Sequence, residues 1–221
     1  MIFELPFMRI IKVNIDNPKI KIIRGVAKVI KKGGAVVLPT DTAYGIAVNT
    51  LDYKALARLD RIKGRQDQKP YPIAVLNCEE AERYVIFNEQ AKILAEHFWP
   101  GALTLVLKRK EGAEILDPHL ETIGVRVPDS KLCNALSKVL GFPYTITSAN
   151  ISGMPTAYTV QEIVEQFLSA KYKPDLILDG GELTENKIST VADLSRGKKV
   201  EILREGAIGE EEIKDKLKIK K

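Results

Sequence analysis

The chain has 221 residues, 45% hydrophobic and 29% charged, a composition that excludes a disordered protein and suits one globular domain with a sizeable core. Its 34 basic and 29 acidic residues are interspersed, so the net charge of +5 is more typical of a solvated surface than of a nucleic-acid-binding stripe. No apolar run approaches the roughly 18–20 residues that span a bilayer, and the N-terminus lacks a signal-peptide pattern, so we expect a cytoplasmic protein without a membrane partner.

Strand-like and helical patterns alternate along the first half of the chain. Apolar residues recur at helical spacing over 20–32, and Gly33 and Gly34 follow, as is common where a helix ends. Asp52 precedes a second helical pattern as an N-cap residue. The predicted elements are a strand at 10–15, helices at 20–32 and 53–62, strands at 35–38 and 73–76, and helices at 79–83 and 89–98.

The second half continues the same alternation. Thr159 and Glu162 form the sequence pattern of a capping box, which predicts a helix from there to about residue 168. The other predicted elements are strands at 103–108 and 122–127, a helix at 131–140, an extended segment at 143–147, strands at 175–178, 189–194 and 200–203, and a helix at 208–216. Alternation of this kind predicts a single α/β domain with a mixed sheet.

Three loops carry polar side chains and glycine directly after apolar strands. They are 39–45, 147–153 (“TSANISG”) and 179–181. In open α/β sheets, ligands bind where strand ends and their loops converge. Each loop alone is more simply explained as a connector, since Asn, Ser and Gly are common turn residues. Together they raise the expectation of a ligand site.

The segment “KGRQDQKPYP” (63–72) adds cations to these loops. In an extended conformation Lys63 and Arg65 share one face, with Gly64 allowing close backbone approach. A lysine beside a forked arginine suits a polyphosphate, and Lys69 follows four residues on. Ser148 and Asn150 repeat the spacing of two. The alternative for 63–72 is a solvated charge run between a helix and a strand.

Several familiar sites are absent from the sequence. There is no G-x-x-x-x-G-K-[ST] phosphate loop, no G-x-G-x-x-G and no G-x-S-x-G. Two cysteines without CxxC spacing and two isolated histidines do not form a zinc pattern. We therefore predict no metal site made by protein side chains, and any ATP must be bound by another construction.

The segments “LPTDTAYGI”, “KGR”, “HFWPGALTLVLK”, “TIGVRVPDS”, “TSANISG”, “DGG”, “STVADL” and “ILREGAI” follow one another between about residues 11 and 208. In this order they resemble the YrdC-like family. The K-x-R and S-x-N pairs with their flanking segments are highly specific, whereas either pair alone is weak. The resemblance implies an α/β, single-domain, twisted open mixed sheet with flanking helices and a positively charged concave surface. It places the YrdC-like domain at 10–209, with 210–221 as a C-terminal helix and basic tail.

The resemblance also implies an activity, that of an L-threonylcarbamoyladenylate synthase. Such a nucleotidyltransferase forms L-threonylcarbamoyl-AMP and pyrophosphate from L-threonine, bicarbonate or CO₂, and ATP, with magnesium expected to accompany ATP. A separate tRNA threonylcarbamoyl transferase complex then modifies adenosine next to the anticodon of ANN-decoding tRNAs. Weak binding of tRNA or double-stranded RNA by the synthase itself is left open.

Matching the family motifs assigns roles to individual residues. Lys63 and Arg65 are implied to be catalytic. The implied ATP contacts are Arg65, Lys69, Thr122, Ser148, Asn150, Thr156 and Arg204. The implied threonine contacts are Thr42, Tyr44, Arg126 and Thr190. These residue types fit the chemistry, because an arginine pairs with the amino-acid carboxylate and hydroxyls suit a small polar substrate.

The sequence departs from the family pattern in two places. Gln66 stands where the common K-x-R-P has proline, and Pro70, Tyr71 and Pro72 follow Lys69, whose assignment is therefore weaker. The chain also ends without the C-terminal extension of the longer family form. Two other functions remain open: an RNA-binding module without catalysis, and a paralogue that acts on another carbamoyl or acyl substrate.

Overall fold

The computed structural model describes residues 2–5, 8–65, 70–114, 120–185, 187–197 and 199–218. Strands and helices alternate throughout. The first elements are β1 (Ile2–Leu5), β2 (Met8–Lys12), α1 (Ile20–Lys31), β3 (Val36–Pro39), β4 (Tyr44–Ala47), α2 (Tyr53–Lys63), β5 (Ile73–Ala74), α3 (Cys78–Ala81), β6 (Val85–Ile86) and α4 (Glu89–Phe98). They are followed by β7 (Leu103–Arg109), β8 (Thr122–Arg126), α5 (Lys131–Leu140), β9 (Tyr144–Thr145), β10 (Thr147–Ser148), α6 (Val160–Phe167), β11 (Leu176–Asp179), β12 (Thr190–Asp193), β13 (Glu201–Arg204) and α7 (Glu210–Lys216).

Side-chain caps set the start of most predicted helices. The side chain of Asp52 accepts hydrogen bonds from two backbone N–H groups at the start of α2. Asn88 and Ser130 cap α4 and α5 in the same way. The predicted capping box of Thr159 and Glu162 is present at the start of α6, with both reciprocal bonds formed. Because these caps satisfy backbone donors that the first helical turn leaves unpaired, the sequence locates these helices well.

The strands form two mixed sheets. The six-stranded sheet has the order β1-β2-β11-β3-β4-β10, and the other has the order β13-β12-β7-β8-β5-β9 with β6 added to β7. The expected mixed α/β fold is confirmed, with parallel pairs such as β11 with β3 and β12 with β7. The segment from Tyr144 to Ser148 joins the two sheets, since β9 pairs with β5 and β10 pairs with β4.

Two local expectations were wrong. Residues 44–47, expected partly as loop, form strand β4, which pairs antiparallel with β3 after a tight turn in which Thr40 binds Ala43. All of β4 is buried, so it lacks the alternation that marks a strand exposed on one face. The helix predicted to end at residue 62 continues to Lys63 and the left-handed cap at Gly64, so the extended conformation considered for 63–65 is not adopted.

Helices cover both faces of the six-stranded sheet but leave one face of the other sheet open. α1 and α5 share a core with one face of the six-stranded sheet, and α2 and α6 cover its opposite face. In the second sheet, Leu103, Leu105 and Leu107 of β7 point into a core with α4, and Ile213 of α7 is fully buried in that core. The alternate β7 residues therefore face away from these helices. Every helix within the described residues is too short or too polar to cross a membrane.

Candidate active site

A pocket of about 690 Å³ lies against the open face of the seven-stranded sheet. Residues from the turn and strand at 40–45 line one side, together with Ile146 to Ser148 where the two sheets join. The other walls come from the three segments Arg65 with 70–72, 188–189 and 203–204. Strand ends from both sheets thus converge on one cavity. Of the three predicted polar loops, 39–45 and the start of 147–153 line it, whereas 179–181 is not among the lining residues.

The two halves of the K-x-R and S-x-N pattern meet through Lys63. Its Nζ donates hydrogen bonds to the carbonyl oxygen of Ser148 at 2.6 Å and to Oδ1 of Asn150 at 2.9 Å. Oδ1 of Asn150 also accepts from the hydroxyl of Ser148 at 2.6 Å. The Asn150 amide donates to the carbonyl of Met154 at 2.6 Å, which folds the loop back on itself. Lys63 and Asn150 therefore hold the Ser148 loop in place.

Lys63 and Arg65 point in different directions because the helix ends between them. Gly64 has φ of +60°, a left-handed conformation that glycine adopts without strain. Lys63 is buried, whereas Arg65 lines the pocket with its guanidinium 4.8 Å from the Tyr71 ring centre. Burial, and then the neighbouring charge of Arg65, lowers the pKa of Lys63 to about 8. A lysine with this pKa changes charge within the neutral to mildly basic range.

Arg126 lines the pocket and is held in place by a buried ion pair. Its Nη2 donates to Oδ1 of Asp41 at 2.7 Å, and the two side chains are 5% and 13% exposed. Nε donates to the carbonyl of Gly101 at 3.0 Å, and Nη1 to the hydroxyl of Thr42 at 3.2 Å. The Thr42 hydroxyl also lies 3.2 Å from that of Thr40. These contacts fix a guanidinium beside threonine hydroxyls, as recognition of a carboxylate requires.

Arg204 lies on another wall of the same pocket. Its guanidinium donates to the carbonyl of Ser189 through Nε at 3.1 Å and Nη2 at 2.8 Å. The Ser189 hydroxyl is in turn 3.1 Å from that of Thr104 on the pocket floor. Arg204 is exposed as a whole residue, but partial burial of the guanidinium, followed by the like charge of Arg126, lowers its pKa. Two mutually repelling cations in one cavity favour an anionic ligand.

Four predicted residues do not reach the pocket lining. The hydroxyl of Thr190 is fully buried and donates to the carbonyl of Ile208 at 2.6 Å, so we replace its expected threonine contact with support of the chain after Arg204. Thr156 is half-buried, and neither it, Lys63 nor Asn150 is among the lining residues.

Two further predicted residues need separate comment. Tyr44 lines the pocket, but its hydroxyl donates to the carbonyl of Gly181 at 2.7 Å and accepts from the N–H of Gly180 at 3.0 Å. Burial raises its pKa to about 12, so the phenol stays protonated and ties the turn at 40–43 to the “DGG” loop. Lys69 lies outside the described residues. Thr42, Arg65, Thr122, Arg126, Ser148 and Arg204 line the pocket as expected.

Sequence reasoning missed four polar residues of the site. Asp41 pairs with Arg126 from 85 positions away, and Thr104 and Ser189 are also 85 positions apart. Asp193 lines the pocket from the end of β12. Alternation within “LTLV” and “STVAD” was the available signal, because every second residue of these strands faces the pocket.

Comparison with known proteins gives a consistent result. The family model Sua5_yciO_yrdC, described as “Telomere recombination”, matches residues 28–206. A Methanocaldococcus jannaschii protein named “Putative threonylcarbamoyl-AMP synthase” is 37% identical over 201 residues, covering 91% of this chain and 93% of that protein. Pyrococcus abyssi Sua5, in a structure with L-threonine, is 35% identical with a TM-score of 0.84, covering 94% of this chain and 60% of that one.

A third relative carries a different name. The structure of Escherichia coli YciO is 28% identical with a TM-score of 0.79, and the match covers 92% of this chain and 98% of that one. The chain thus spans about three fifths of the Pyrococcus protein but nearly all of the other two. The family model matches residues 28–206, and the Methanocaldococcus relative is 37% identical over 91% of the chain. The chain therefore belongs to the Sua5/YciO/YrdC family.

Proposed function

We propose that this protein is a threonylcarbamoyl-AMP synthase, a nucleotidyltransferase that joins L-threonine, bicarbonate or CO₂, and the AMP portion of ATP. The observation that carries the proposal is one pocket in which Arg126 with Thr42 faces Arg65 and Ser148. The first pair suits an amino-acid carboxylate and hydroxyl, and the second pair suits phosphate. The threonine-bound relative and the synthase names among the relatives support the same assignment.

The chemistry assigned to the pocket needs no covalent enzyme intermediate. The threonine amine takes up CO₂ to form a carbamate, with loss of a proton, and a carbamate oxygen attacks the α-phosphorus. The bond to the pyrophosphate leaving group breaks in line with this attack. Arg65 and Arg204 stabilise charge on the phosphate oxygens, while Lys63 holds the Ser148 loop and adds positive charge from behind it. Catalysis then rests on positioning and charge.

In this proposal magnesium binds through the phosphates of ATP. Groups of three or more His, Cys, Asp or Glu side chains that hold a metal ion do not occur within the described residues. Mg²⁺ commonly binds through substrate phosphates with only one or two carboxylates. The ion therefore enters with ATP, and the protein cations bind the remaining phosphate charge.

A further proposal concerns the partner that consumes the product. Threonylcarbamoyl-AMP carries an activated acyl group, so a separate transferase must consume it, and we assign this step to the tRNA threonylcarbamoyl transferase complex. The synthase domain is assigned to 10–209, with 210–221 as the C-terminal helix and basic tail. Direct binding of tRNA or double-stranded RNA is not needed for the reaction.

One alternative is a paralogue that uses the same pocket for another acyl or carbamoyl substrate. We keep it because the chain also matches YciO over 92% of its length, and that relative is not named as a synthase. The assay for both is pyrophosphate release from MgATP and bicarbonate, with and without L-threonine. We expect release to depend on threonine. Nucleotide binding without threonine-dependent release would reject the synthase and leave the paralogue, whereas RNA binding that is lost steeply with salt, without turnover, would identify a binding module.

Two substitutions test the assigned roles. Lys63→Ala and Arg65→Ala should each reduce release at least about 100-fold, the usual cost of losing one group that stabilises transition-state charge. Lys28→Ala and Arg24→Ala are matched controls, because both side chains are exposed on α1 and neither is among the residues that line the pocket. Full activity of both Lys63→Ala and Arg65→Ala, with the fold confirmed by circular dichroism, would contradict the assigned roles.

A further inference from the structure

Asp193 is the acidic side chain that the described residues contribute to the lining of the cation-rich pocket. It lies at the end of β12 and is half-buried. Every other charged lining residue in the described ranges is an arginine: Arg65, Arg126 and Arg204. A carboxylate in a cavity built for anions weakens phosphate binding unless it has a different part of the ligand to recognise.

The arginines of the pocket are directed away from Asp193. Arg204 pairs with Val191, two residues before Asp193, but its guanidinium donates to the carbonyl of Ser189, four residues before it. Asp193 pairs with Val106 of β7, and Val106 pairs with Gly124 of β8. The row that runs from Asp193 across the next two strands is therefore uncharged. A Cβ at Gly124 would meet Pro72 at 3.3 Å and Thr104 at 3.5 Å, and its absence keeps the floor beside Val106 open. A bulky ligand group can therefore lie over this row next to the carboxylate.

One carboxylate oxygen of Asp193 is fixed and the other is available. Oδ1 accepts the backbone N–H of Ser195 at 2.7 Å, which sets the orientation of the side chain. Within the described residues no ion pair or second hydrogen bond involves this carboxylate. The second oxygen is therefore an acceptor ready for a donor on the ligand.

The register also indicates which part of the ligand supplies that donor. Arg126 is two residues from Gly124 along β8, so its Cα is about 12 Å from that of Asp193, from strand spacings of about 4.8 Å and rises of about 3.3 Å. The Arg126 guanidinium donates to the carbonyl of Gly101, five residues before the Val106 that pairs with Asp193, so it points away from Asp193. A threonine held there by its carboxylate keeps its ammonium away from Asp193. The donors on ATP are then the ribose hydroxyls and the N6 amine of adenine. Of these, carboxylates recognise the ribose hydroxyls in other nucleotide-binding folds, so we take the ribose as the partner of Asp193.

We propose that Asp193 accepts a hydrogen bond from a ribose hydroxyl of ATP and so makes the pocket selective for ribonucleotides over deoxyribonucleotides. This inference rests on the proposed use of ATP and adds a residue that determines nucleotide specificity. The carboxylate acts by binding, and no proton transfer or covalent step is assigned to it. A hydrogen bond to a charged acceptor is expected to give about 10- to 100-fold discrimination.

The experiment compares ATP, 2′-deoxy-ATP and 3′-deoxy-ATP in threonine-dependent pyrophosphate release. In the unaltered protein we expect kcat/KM for ATP to exceed that for at least one deoxy analogue by about 10- to 100-fold. Asp193→Ala should reduce this ratio to within about threefold, and Asp193→Asn, which keeps a neutral acceptor, should fall between them. The KM for threonine should stay unchanged in both variants.

Glu201→Gln is the matched control, because Glu201 pairs with Asp193 across β12 and β13 but is exposed and not part of the lining. It removes a nearby negative charge and should keep the full ATP preference. Equal use of ATP and both analogues by the unaltered protein would overturn the inference even if the variants fail to fold.

Other outcomes point to other roles and also overturn the inference. Activity of Asp193→Ala that is restored by raised Mg²⁺, with the nucleotide ratio unchanged, would identify a metal ligand. A rise confined to the KM for threonine would identify an ammonium contact. If the protein shows no threonine-dependent release, the proposed function fails, but calorimetric dissociation constants for ATP and the deoxy analogues still test the ribose contact by the same ratio.

Discussion

Replacing Asp41 with asparagine should destabilise the protein because it leaves the Arg126 charge buried without its partner. The two groups are 2.7 Å apart, and only 5% of the Arg126 side chain and 13% of the Asp41 side chain are exposed. Breaking a buried ion pair from one side costs about 3–5 kcal/mol. Asparagine keeps the size of the side chain, and Thr42 and Gly101 still accept from the guanidinium, so we expect about 3 kcal/mol. For a domain of this size, that loss corresponds to a fall in Tm of about 6–12 °C.

The cause is best isolated by repeating Asp41→Asn in an Arg126→Met background. There the charge is absent, so Asp41→Asn should cost less than about 1 kcal/mol, and the difference between backgrounds measures the coupling of the pair. Urea unfolding of the four proteins gives these free energies. Glu89→Gln is the control for an exposed pair, since Glu89 and Lys92 are 86% and 57% exposed, and it should give no measurable change. Equal costs of Asp41→Asn in both backgrounds would refute the reasoning.

Three more outcomes follow from the site and its glycines. Lys63 loses its charge above pH about 8 in the free protein, so the Kd for ATP should rise by up to about tenfold per pH unit above that pH and stay constant below it. Lys63→Met should bind ATP more weakly at all pH values, without this rise. Gly64→Ala should lose about 1 kcal/mol in urea unfolding, because its φ is +60° although the nearest side chain is 3.8 Å from a new Cβ; Gly64→Asn should lose less. Gly206→Ala should lose at least about 2 kcal/mol, since a Cβ would overlap the Ile188 carbonyl oxygen. Gly209→Ala, which has open space but replaces the N-cap glycine of α7, should lose less than about 1 kcal/mol. A Kd for ATP that stays constant up to pH 9.5 would contradict the role of the Lys63 charge. Gly64→Ala or Gly206→Ala as stable as the unaltered protein would contradict the account of that glycine.

Sequence patterns located the elements whose signals are local. The cap at Asp52 and the capping box at Thr159 act within one helical turn, and the structure confirms both. The division of the strands between two sheets depends on pairings between residues far apart in the chain, so no local sequence pattern predicts it. Strand β4 is buried throughout and follows a four-residue turn, which hides it from a search for alternation. The Asp41 and Arg126 ion pair has the same long-range character.

The spacing of two in K-x-R and in S-x-N has two different structural causes. In the first, α2 ends at Lys63 and the left-handed Gly64 turns the chain, so the lysine points beneath the loop and Arg65 points into the pocket. In the second, the backbone N–H of Ala149 pairs with Tyr44 of β4, and Asn150 folds back to accept from the Ser148 hydroxyl. Lys63 and Arg65 would share one face only in an extended segment, and the helix end between them separates the two side chains. Their association with Ser148 and Asn150 is nevertheless present, because Lys63 reaches both residues of the second motif. The lysine thus joins the two motifs from behind the pocket, whereas Arg65 lines the pocket, so of this pair it is Arg65 to which we assign direct contact with phosphate.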